Sequence, residues 1–244
     1  MKVLASDFDG TLLFDGKFRE NDLKKIKEFQ KAGHLFGLCS GRPFEGVTKV
    51  CEGLIDFDFY ILCTGALVLD KNHEVLFKST ITKQILEAFY NQYKDKYPIY
   101  IQANYKIYTF ESGGVEGIVR QHISSLDEVE GDIYGISMCA LTDENAAKVC
   151  QEIEQLFPKL TAHQNKEYID ITEKGCSKGL GIEKLKESLH ILHTAGIGDS
   201  YNDIPMLETV DHSFTFHSSP KCIQDIVDDV VDSVDEAIDI LLQK

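Results

Sequence analysis

The sequence is poor in basic residues, and above all in arginine. Its 244 residues hold 25 Lys and Arg, of which three are arginine, against 40 Asp and Glu, and the formal net charge is −15. Such an excess of acid repels phosphate backbones and anionic lipid head groups. We therefore expect neither nucleic acid nor a membrane surface as a partner. An acidic chain still binds phosphate where a bound cation reverses the local charge.

Several motifs and segments are also missing. No apolar run approaches the roughly 20 residues of a membrane span, and MKVLASDFDG becomes charged too early for a signal peptide. The seven cysteines contain no C-x-x-C pair and the eight histidines no H-x-x-x-H pair, which argues against zinc and redox motifs. A G-x-x-x-x-G-K-[ST] nucleotide loop is absent too. We expect a soluble cytoplasmic protein with reduced thiols.

The first eighty residues alternate between short buried strands and helices. Leu23, Ile26, Phe29 and Ala32 recur at helical spacing between charged residues. Strands that alternate with helices predict a parallel sheet with right-handed crossovers. The predicted strands are 1–7, 34–39 and 57–63, followed by a hairpin of 67–70 and 75–78.

From about residue 82 the pattern changes to strands that pair antiparallel beneath helices, and from Lys178 the first pattern resumes. We therefore predict an α/β core of residues 1–81 and 176–244, with a smaller α+β unit, 82–175, inserted into it. The predicted helices are 82–94, 144–157, 178–189 and 202–209, with helical segments at the C-terminus, and the predicted strands are 99–103, 106–110, 134–141, 168–172, 193–198 and 213–217.

The strongest motif is D-F-D-G-T-L, which stands where the first buried strand ends. Alternation along a strand turns Asp7 and Asp9 to the same side, at the sheet edge where open α/β folds bind ligands. Two such close carboxylates are costly without a cation, and Mg²⁺ prefers hard oxygen ligands. Gly10 allows a tight turn and a close approach to a ligand. The alternative is two solvated aspartates in an ordinary strand-to-helix turn.

A second candidate site follows the second strand. Ser40 and Gly41 precede Arg42, and Pro43 begins a helix, so a hydroxyl and free N–H groups lie beside a helix N-terminus. This arrangement favours an anion. The alternative for Arg42 is an ordinary surface cation.

The third candidate is G-D-S-Y-N-D at residues 198–203, which again joins a strand to a helix. It places Asp199 at the same sheet edge, where it would complete a metal site, and Asp203 one turn later, where it would orient that site. Helix capping is the alternative role for these residues. Lys178 begins the helix with which the chain re-enters the core.

These four motifs, in this order, resemble those of the haloacid dehalogenase superfamily of phosphatases, in its Cof-like, type IIB branch. The resemblance implies a Rossmann-like parallel-sheet core with an inserted α+β cap of the C2 type, which sets substrate specificity. It further implies a Mg²⁺-dependent phosphatase that acts on phosphomonoesters of small metabolites, such as sugar phosphates or phosphorylated cofactors.

The resemblance also implies a role for each motif residue. Asp7 would be the nucleophile that forms an aspartyl-phosphate, and Asp9 the general acid and then the general base. Mg²⁺ would bind Asp7, the Asp9 backbone carbonyl and Asp199. The phosphoryl oxygens would be held by Ser40, the Gly41 amide, Lys178 and Asn202. The sequence departs from the branch at Thr64 and Ser218, where the branch usually has asparagine.

Three other functions fit parts of the pattern. A phosphomutase-like enzyme of the same branch would pass the phosphoryl group to a sugar instead of water. A signalling receiver would keep a phosphorylated aspartate without turnover, although the first-strand nucleophile and the large insertion argue against it. A purely structural or binding role would leave the three acidic motifs unexplained. No expectation about oligomeric state follows from the sequence.

Overall fold

A computed structural model of the chain describes residues 1–112 and 120–243. The strands of these ranges are β1 (Val3–Ser6), β2 (Leu13–Phe14), β3 (Lys17–Phe18), β4 (Leu35–Cys39), β5 (Phe59–Leu62), β6 (Leu67–Asp70), β7 (Val75–Lys78), β8 (Ile99–Ala103), β9 (Lys106–Thr109), β10 (Arg120–His122), β11 (Ile133–Cys139), β12 (Leu160–Asn165), β13 (Tyr168–Glu173), β14 (Ala195–Ile197), β15 (His212–Phe216) and β16 (Asp229–Val231).

The α-helices of the same ranges are α1 (Glu20–Lys31), α2 (Phe44–Cys51), α3 (Lys83–Tyr93), α4 (Asp143–Leu156), α5 (Lys178–Leu189), α6 (Ile204–Thr209), α7 (Lys221–Gln224) and α8 (Val234–Gln243). Single 3₁₀ turns lie at Leu126–Glu128 and Tyr201–Asp203. Within the described residues, no helix combines the length and the apolar character needed to cross a membrane.

The larger sheet has eight strands in the order β16-β15-β14-β1-β4-β5-β6-β7. The six strands from β16 to β5 run parallel, and the β6–β7 hairpin adds two antiparallel strands at one edge. The chain leaves β1 toward β4 on one side and returns later to β14 on the other. The carboxyl end of β1 is therefore the point where the strand order reverses, which is where open α/β sheets bind ligands.

Helices cover both faces of this sheet, as the burial of its strands requires, because parallel strands are apolar on both sides. On one face, Ile26 and Phe29 of α1 belong to the same buried cluster as residues of α2 and α8. On the other face, Ile182 and Leu185 of α5 pack in a second cluster with α6 and α7.

The smaller sheet has six strands in the order β10-β9-β8-β11-β13-β12, all antiparallel neighbours except β9 and β10. Along β8, Ile99 and Ile101 point into an apolar cluster shared with α3 and α4. Tyr100 and Gln102, which alternate with them, line a cleft toward the larger sheet instead. The period of two thus gives this sheet one apolar face and one polar face.

The α/β fold class is confirmed, whereas five strands were not predicted: the two-residue strands β2 and β3, and β10, β12 and β16. Residues 229–231, expected within terminal helical segments, form β16 between two helices, because their N–H and C=O groups pair with β15. β10 and β12 were not predicted, since their sequences, RQH and LTAHQN, are mostly polar and show little hydrophobic alternation. Both are edge strands, which bury fewer side chains.

Helices α1 and α8 share one buried carboxyl group, that of Asp22 in the first turn of α1. Its Oδ1 accepts a hydrogen bond of 2.9 Å from the Asp235 amide at the start of α8. Its Oδ2 is buried and has no hydrogen-bond partner in the described part of the chain. Burial, opposed by the Asp235 amide, raises the pKa of Asp22 to about 6.

Replacing Asp22 with asparagine should therefore make the protein more stable at neutral pH. A raised carboxyl pKa means that the folded state favours the protonated group. The contribution of Asp22 to the free energy of unfolding is therefore full below about pH 4 and is lost as the pH rises through 6. Asp22→Asn removes the charge and keeps an acceptor for Asp235. We expect its free energy of unfolding to match wild type near pH 4 and to exceed it by about 2–3 kcal/mol near pH 8, measured by urea denaturation.

The matched control is Asp143→Asn, which changes an exposed aspartate in the first turn of α4. It should show no gain that grows with pH. Parallel pH curves for wild type and Asp22→Asn would contradict the role of Asp22.

Candidate active site

Asp7 directly follows β1, at the point where the strand order of the larger sheet reverses. Its amide donates to the Ile197 carbonyl at 2.9 Å, and the Ser6 hydroxyl donates to the Asp7 carbonyl at 2.8 Å. The backbone is thus held by the neighbouring strand β14. The residue is 6% exposed, and it lines the cleft between the two sheets.

The site contains a fully buried positive charge, the ammonium group of Lys178. Its Nζ donates to Asp7 Oδ1 and to Asp203 Oδ1, each at 2.6 Å, and the side chain is fully buried. Burial alone would lower the pKa of Lys178, but the charges of Asp203 and Asp7 raise it well above its ordinary value. Lys178 is therefore a permanent cation next to Asp7.

Asp203 uses its second oxygen to hold the neighbouring loop. Oδ2 accepts hydrogen bonds from the amides of Asp199 at 3.0 Å and Ser200 at 2.9 Å. The capping geometry that was the alternative for this motif is thus present, and the same side chain also binds Lys178. Asp203 orients the loop while both of its oxygens remain engaged.

Asp7, Asp199 and Asp203 bring carboxylate oxygens within 4.8 Å of one another. Both oxygens of Asp203 already accept hydrogen bonds, from Lys178 and from two backbone amides. The oxygens best placed for a cation are therefore those of Asp7 and Asp199. Among the described residues, the Asp199 carboxylate has only long hydrogen-bond contacts, from Thr11 Oγ1 at 3.4 Å and Lys166 Nζ at 3.5 Å. Burial, and then the charge of Asp7, raise its pKa.

Gly10 leaves space beside the Asp199 carboxylate. A Cβ atom at this position would lie 2.7 Å from Asp199 Oδ2, and its φ of +86° disfavours other residues. A set of hard carboxylate oxygens against bare backbone suits Mg²⁺ rather than a soft metal. The residues therefore fit the expected ion.

Asp9 lies apart from the three grouped carboxylates and forms an ion pair with Arg42. Arg42 Nε and Nη2 donate to the two carboxylate oxygens at 2.7 and 2.6 Å, and Nη1 donates to the Gly46 carbonyl at 3.0 Å. Its guanidinium also lies over the Phe8 ring, 5.1 Å from the centroid. This arginine is bound to the site and is not a free surface cation.

Ser40, Gly41 and Asn202 line the same cleft as Asp7 and Asp9. Ser40 is buried, and its Oγ accepts a hydrogen bond of 3.1 Å from the Arg42 amide, which leaves the hydroxyl proton free to donate. The cleft has a volume of about 520 Å³. Its remaining walls include Gly10, Asp199, Ser200, Tyr100, Gln102, Ile107, Arg120, Ser137, Asn165, Lys166, Glu167, Tyr168 and Asp170.

A chain of hydrogen bonds from the smaller sheet reaches the Ser40–Gly41 loop. Gln102 Nε2 donates to the Gly41 carbonyl and to Ser137 Oγ, each at 2.9 Å, and Ser137 Oγ donates to Asp170 Oδ1 at 2.7 Å. Thr64 Oγ1 donates to Asp170 Oδ2 at 3.3 Å. Burial raises the pKa of Asp170, whereas the bond from Ser137 lowers it.

These contacts explain why residue 41 is a glycine and what the Thr64 side chain binds. A Cβ atom on Gly41 would lie 2.6 Å from Asp170 Oδ2, so the glycine is required by the facing carboxylate. Thr64, one departure from the family pattern, binds the smaller sheet rather than the cleft. Ser218, the other, is exposed and lies outside this cleft, while its neighbour Ser219 is buried and accepts from Thr215 at 2.8 Å.

The turn between β12 and β13 forms a second bridge to the larger sheet. Ser200 Oγ donates to Asn165 Oδ1 at 3.0 Å, and Lys166 approaches Asp199 as described. Asn165 and Lys166 were not expected in the site, because β12 itself was not predicted. Asp170 was missed too, although the alternation of Ile169, Asp170 and Ile171 would have indicated a polar face.

Comparison with known proteins agrees with this geometry. A family model of haloacid dehalogenase-like hydrolases matches residues 4–239. Phosphatase YwpJ of Bacillus subtilis strain 168 is 26% identical to this chain over an alignment of 279 positions. The alignment covers 97% of this chain and 96% of YwpJ.

Solved structures share the fold over nearly the whole chain. A haloacid dehalogenase-like hydrolase from B. subtilis superposes with a TM-score of 0.86 at 22% identity and covers 97% of this chain and 96% of its own. The HAD subclass IIB sugar phosphatase BT4131 superposes with a TM-score of 0.81 at 22% identity, covering 97% and 95%. At this identity the likeness establishes the common architecture, a parallel-sheet core with a cap, which confirms the predicted fold class.

Replacing Gly41 with alanine should displace the Ser40–Gly41 loop, because the new methyl group would overlap the Asp170 carboxylate. We expect the affinity for inorganic phosphate, measured by calorimetry with Mg²⁺ present, to fall by about 10- to 100-fold. Gly46→Ala is the control, since its Cβ would meet only ordinary contacts at 3.4 Å or more. Unchanged phosphate affinity in Gly41→Ala would show that the loop tolerates the methyl group.

Proposed function

Because the chain belongs to the haloacid dehalogenase-like hydrolases, we propose that it is a Mg²⁺-dependent phosphatase of small phosphorylated metabolites. The resemblance read from its motifs is thereby confirmed at the level of the family. The observation that carries the finer proposal is the position of Asp7, which lies between the Lys178 cation and the Asp199 carboxylate at the reversal point of the sheet.

Asp7 is the proposed nucleophile. A carboxylate oxygen of Asp7 forms a bond to phosphorus while the bond from phosphorus to the ester oxygen breaks, which yields an aspartyl-phosphate and an alcohol. Water then attacks phosphorus and releases inorganic phosphate and the free carboxylate. Splitting hydrolysis in this way replaces one difficult step by two easier ones. Lys178, which contacts Asp7 Oδ1, would offset the negative charge of the phosphoryl dianion that Asp7 attacks.

Asp9 is the proposed general acid and base. It gives a proton to the departing ester oxygen and later takes one from the attacking water. The two hydrogen bonds from Arg42 hold the Asp9 side chain at the wall of the cleft that Asp7 also lines. Arg42 is thus a positioning residue in this scheme.

The phosphoryl oxygens have several donors in reach of the same cleft. Ser40 offers a hydroxyl proton, Gly41 an amide, Asn202 a side-chain amide and Lys178 its ammonium group. Four donors on three separate segments suit a tetrahedral anion. Gln102 supports this arrangement because it fixes the Gly41 carbonyl.

Asp7, Asp199 and the Asp9 backbone carbonyl would hold the Mg²⁺ ion, and Asp203 would orient the Asp199 loop. When bound, the ion would neutralise phosphate charge within a chain whose net charge is −15. Together with Lys178 and Arg42, the ion would balance the negative charges of Asp7, Asp9, Asp199 and Asp203.

We also propose the division into a core of residues 1–81 and 176–244 and an inserted cap of residues 82–175. Its support is that the smaller sheet and its helices have a hydrophobic cluster of their own. The cap's polar face forms one wall of the cleft and would set the choice of substrate. We propose further that the protein acts in the cytoplasm on a small phosphorylated metabolite and binds neither nucleic acid nor a membrane.

Asp7→Asn should abolish turnover, since an amide cannot act as the nucleophile. We expect kcat for p-nitrophenyl phosphate to fall by about 10⁴-fold or more, with the thermal melting transition retained. Asp15→Asn, which removes a carboxylate from the rim of the same cleft, is the control and should stay active. Hydrolysis by Asp7→Asn at the wild-type rate would exclude the proposed nucleophile.

Phosphate binding should depend on Mg²⁺ far more than on bulk charge. Chelation with EDTA should weaken the calorimetric affinity for inorganic phosphate by at least about tenfold, because the carboxylates of Asp7 and Asp199 then repel the anion. Asp199→Asn should reduce the affinity for Mg²⁺ itself. Equal phosphate affinity with and without Mg²⁺ would contradict the proposed cation.

A further inference from the structure

Arg120 lines the cleft but has no role in the proposed mechanism. It begins β10, at the edge of the smaller sheet, and pairs in register with Ile107 of β9. Both residues line the cleft that holds Asp7. Arg120 therefore stands on the wall that faces the part of a substrate beyond its phosphoryl group.

The guanidinium of Arg120 is stacked but not paired. Its central carbon lies 4.2 Å from the centroid of the Tyr100 ring. Its Nε is buried and has no hydrogen-bond partner, and no ion pair joins it to a carboxylate among residues 1–112 and 120–243. A buried donor left without a partner is unfavourable, so this group has a bond to gain from a ligand.

The other two arginines of the chain differ from Arg120 in this respect. Arg19 also lies over an aromatic ring, 4.1 Å from the centroid of Phe14, but its Nη1 donates to the Asp232 carbonyl at 2.9 Å. Arg42 holds both oxygens of Asp9. In a chain with 40 acidic residues, a cleft arginine that has no carboxylate partner within residues 1–112 and 120–243 is unusual.

Stacking leaves the edge of a guanidinium free. The ring of Tyr100 covers one face, while the N–H groups lie in the plane and match the two oxygens of a carboxylate or phosphate. Tyr168 lies close enough for Arg120 to oppose the rise of its phenol pKa, which burial causes. Glu167 lines the cleft as well, yet it forms no ion pair with Arg120.

We propose that Arg120 binds a second anionic group of the substrate, so that the preferred substrates are phosphomonoesters that carry a further carboxylate or phosphate. This inference rests on the proposed function. The reacting phosphoryl group lies at Asp7 and the second oxyanion at Arg120, with Tyr100 holding the guanidinium in place.

The test compares matched substrates with and without the second anion. 3-Phosphoglycerate and glycerol 1-phosphate differ in a carboxylate, and fructose 1,6-bisphosphate and fructose 6-phosphate differ in a phosphate. For wild type with Mg²⁺ we expect kcat/KM to favour the two-anion member of at least one pair by about 10- to 100-fold. The pair that shows the preference identifies the carboxylate or the phosphate as the second group.

Arg120→Met should remove that preference, mainly through a higher KM for the two-anion substrate, and Arg120→Lys should keep only part of it, because lysine lacks the planar fork. Arg19→Met is the matched control: it removes another ring-stacked arginine, outside this cleft, and should keep the wild-type ratio. Melting curves check that each variant is folded.

The outcomes separate this inference from the proposed function. If wild type hydrolyses p-nitrophenyl phosphate but favours the two-anion member of neither pair, or if Arg120→Met keeps the wild-type ratio, the role of Arg120 is overturned and the phosphatase proposal stands. If wild type hydrolyses none of these esters, the proposed function fails and this inference fails with it.

Discussion

The site depends on one buried ammonium group. Lys178 is removed from water and stands between Asp7 and Asp203 at 2.6 Å from each. Burying such a charge is costly unless carboxylates surround it, and removing one partner of a buried ion pair costs about 3–5 kcal/mol. The triad joins the first strand, the start of α5 and the loop before α6. Because Asp203 also binds the amides of Asp199 and Ser200, the position of the candidate metal ligand Asp199 follows from that of the lysine.

The smaller sheet contributes to the site in a more direct way than as a cover. Its polar face exists because strands alternate, and that face binds the Gly41 carbonyl through Gln102 and the Asp199 loop through the β12–β13 turn. Gly41 is glycine because Asp170 approaches it so closely. The Ser40–Gly41 loop and the cap wall therefore fit each other closely, and a substitution on either one alters the contacts of the other.

The sequence was most informative for strands that are buried on both faces of the larger sheet. β1, β4, β5 and β14 are short apolar runs, and the D-F-D-G-T and G-D-S-Y-N-D motifs follow β1 and β14, so the fold class and family could be predicted. The polar edge strands β10 and β12 gave no such signal, and with them Arg120, Asn165 and Lys166 were missed. Their place depends on pairing across the sheet, which is a tertiary property. The roles of Asp7, Asp9, Ser40 and Asn202 remain predictions.

The position of β1 at the centre of the larger sheet has a consequence for how the protein is made. One edge of β1 pairs with β4 about 30 residues later, but the other pairs with β14, where Leu4 stands opposite Ala195. During synthesis that second edge stays open until about four fifths of the chain has left the ribosome. Open strand edges and distant pairings slow folding and invite association between chains. The inserted residues delay closure further, so a nascent chain would benefit from a chaperone until β14 arrives.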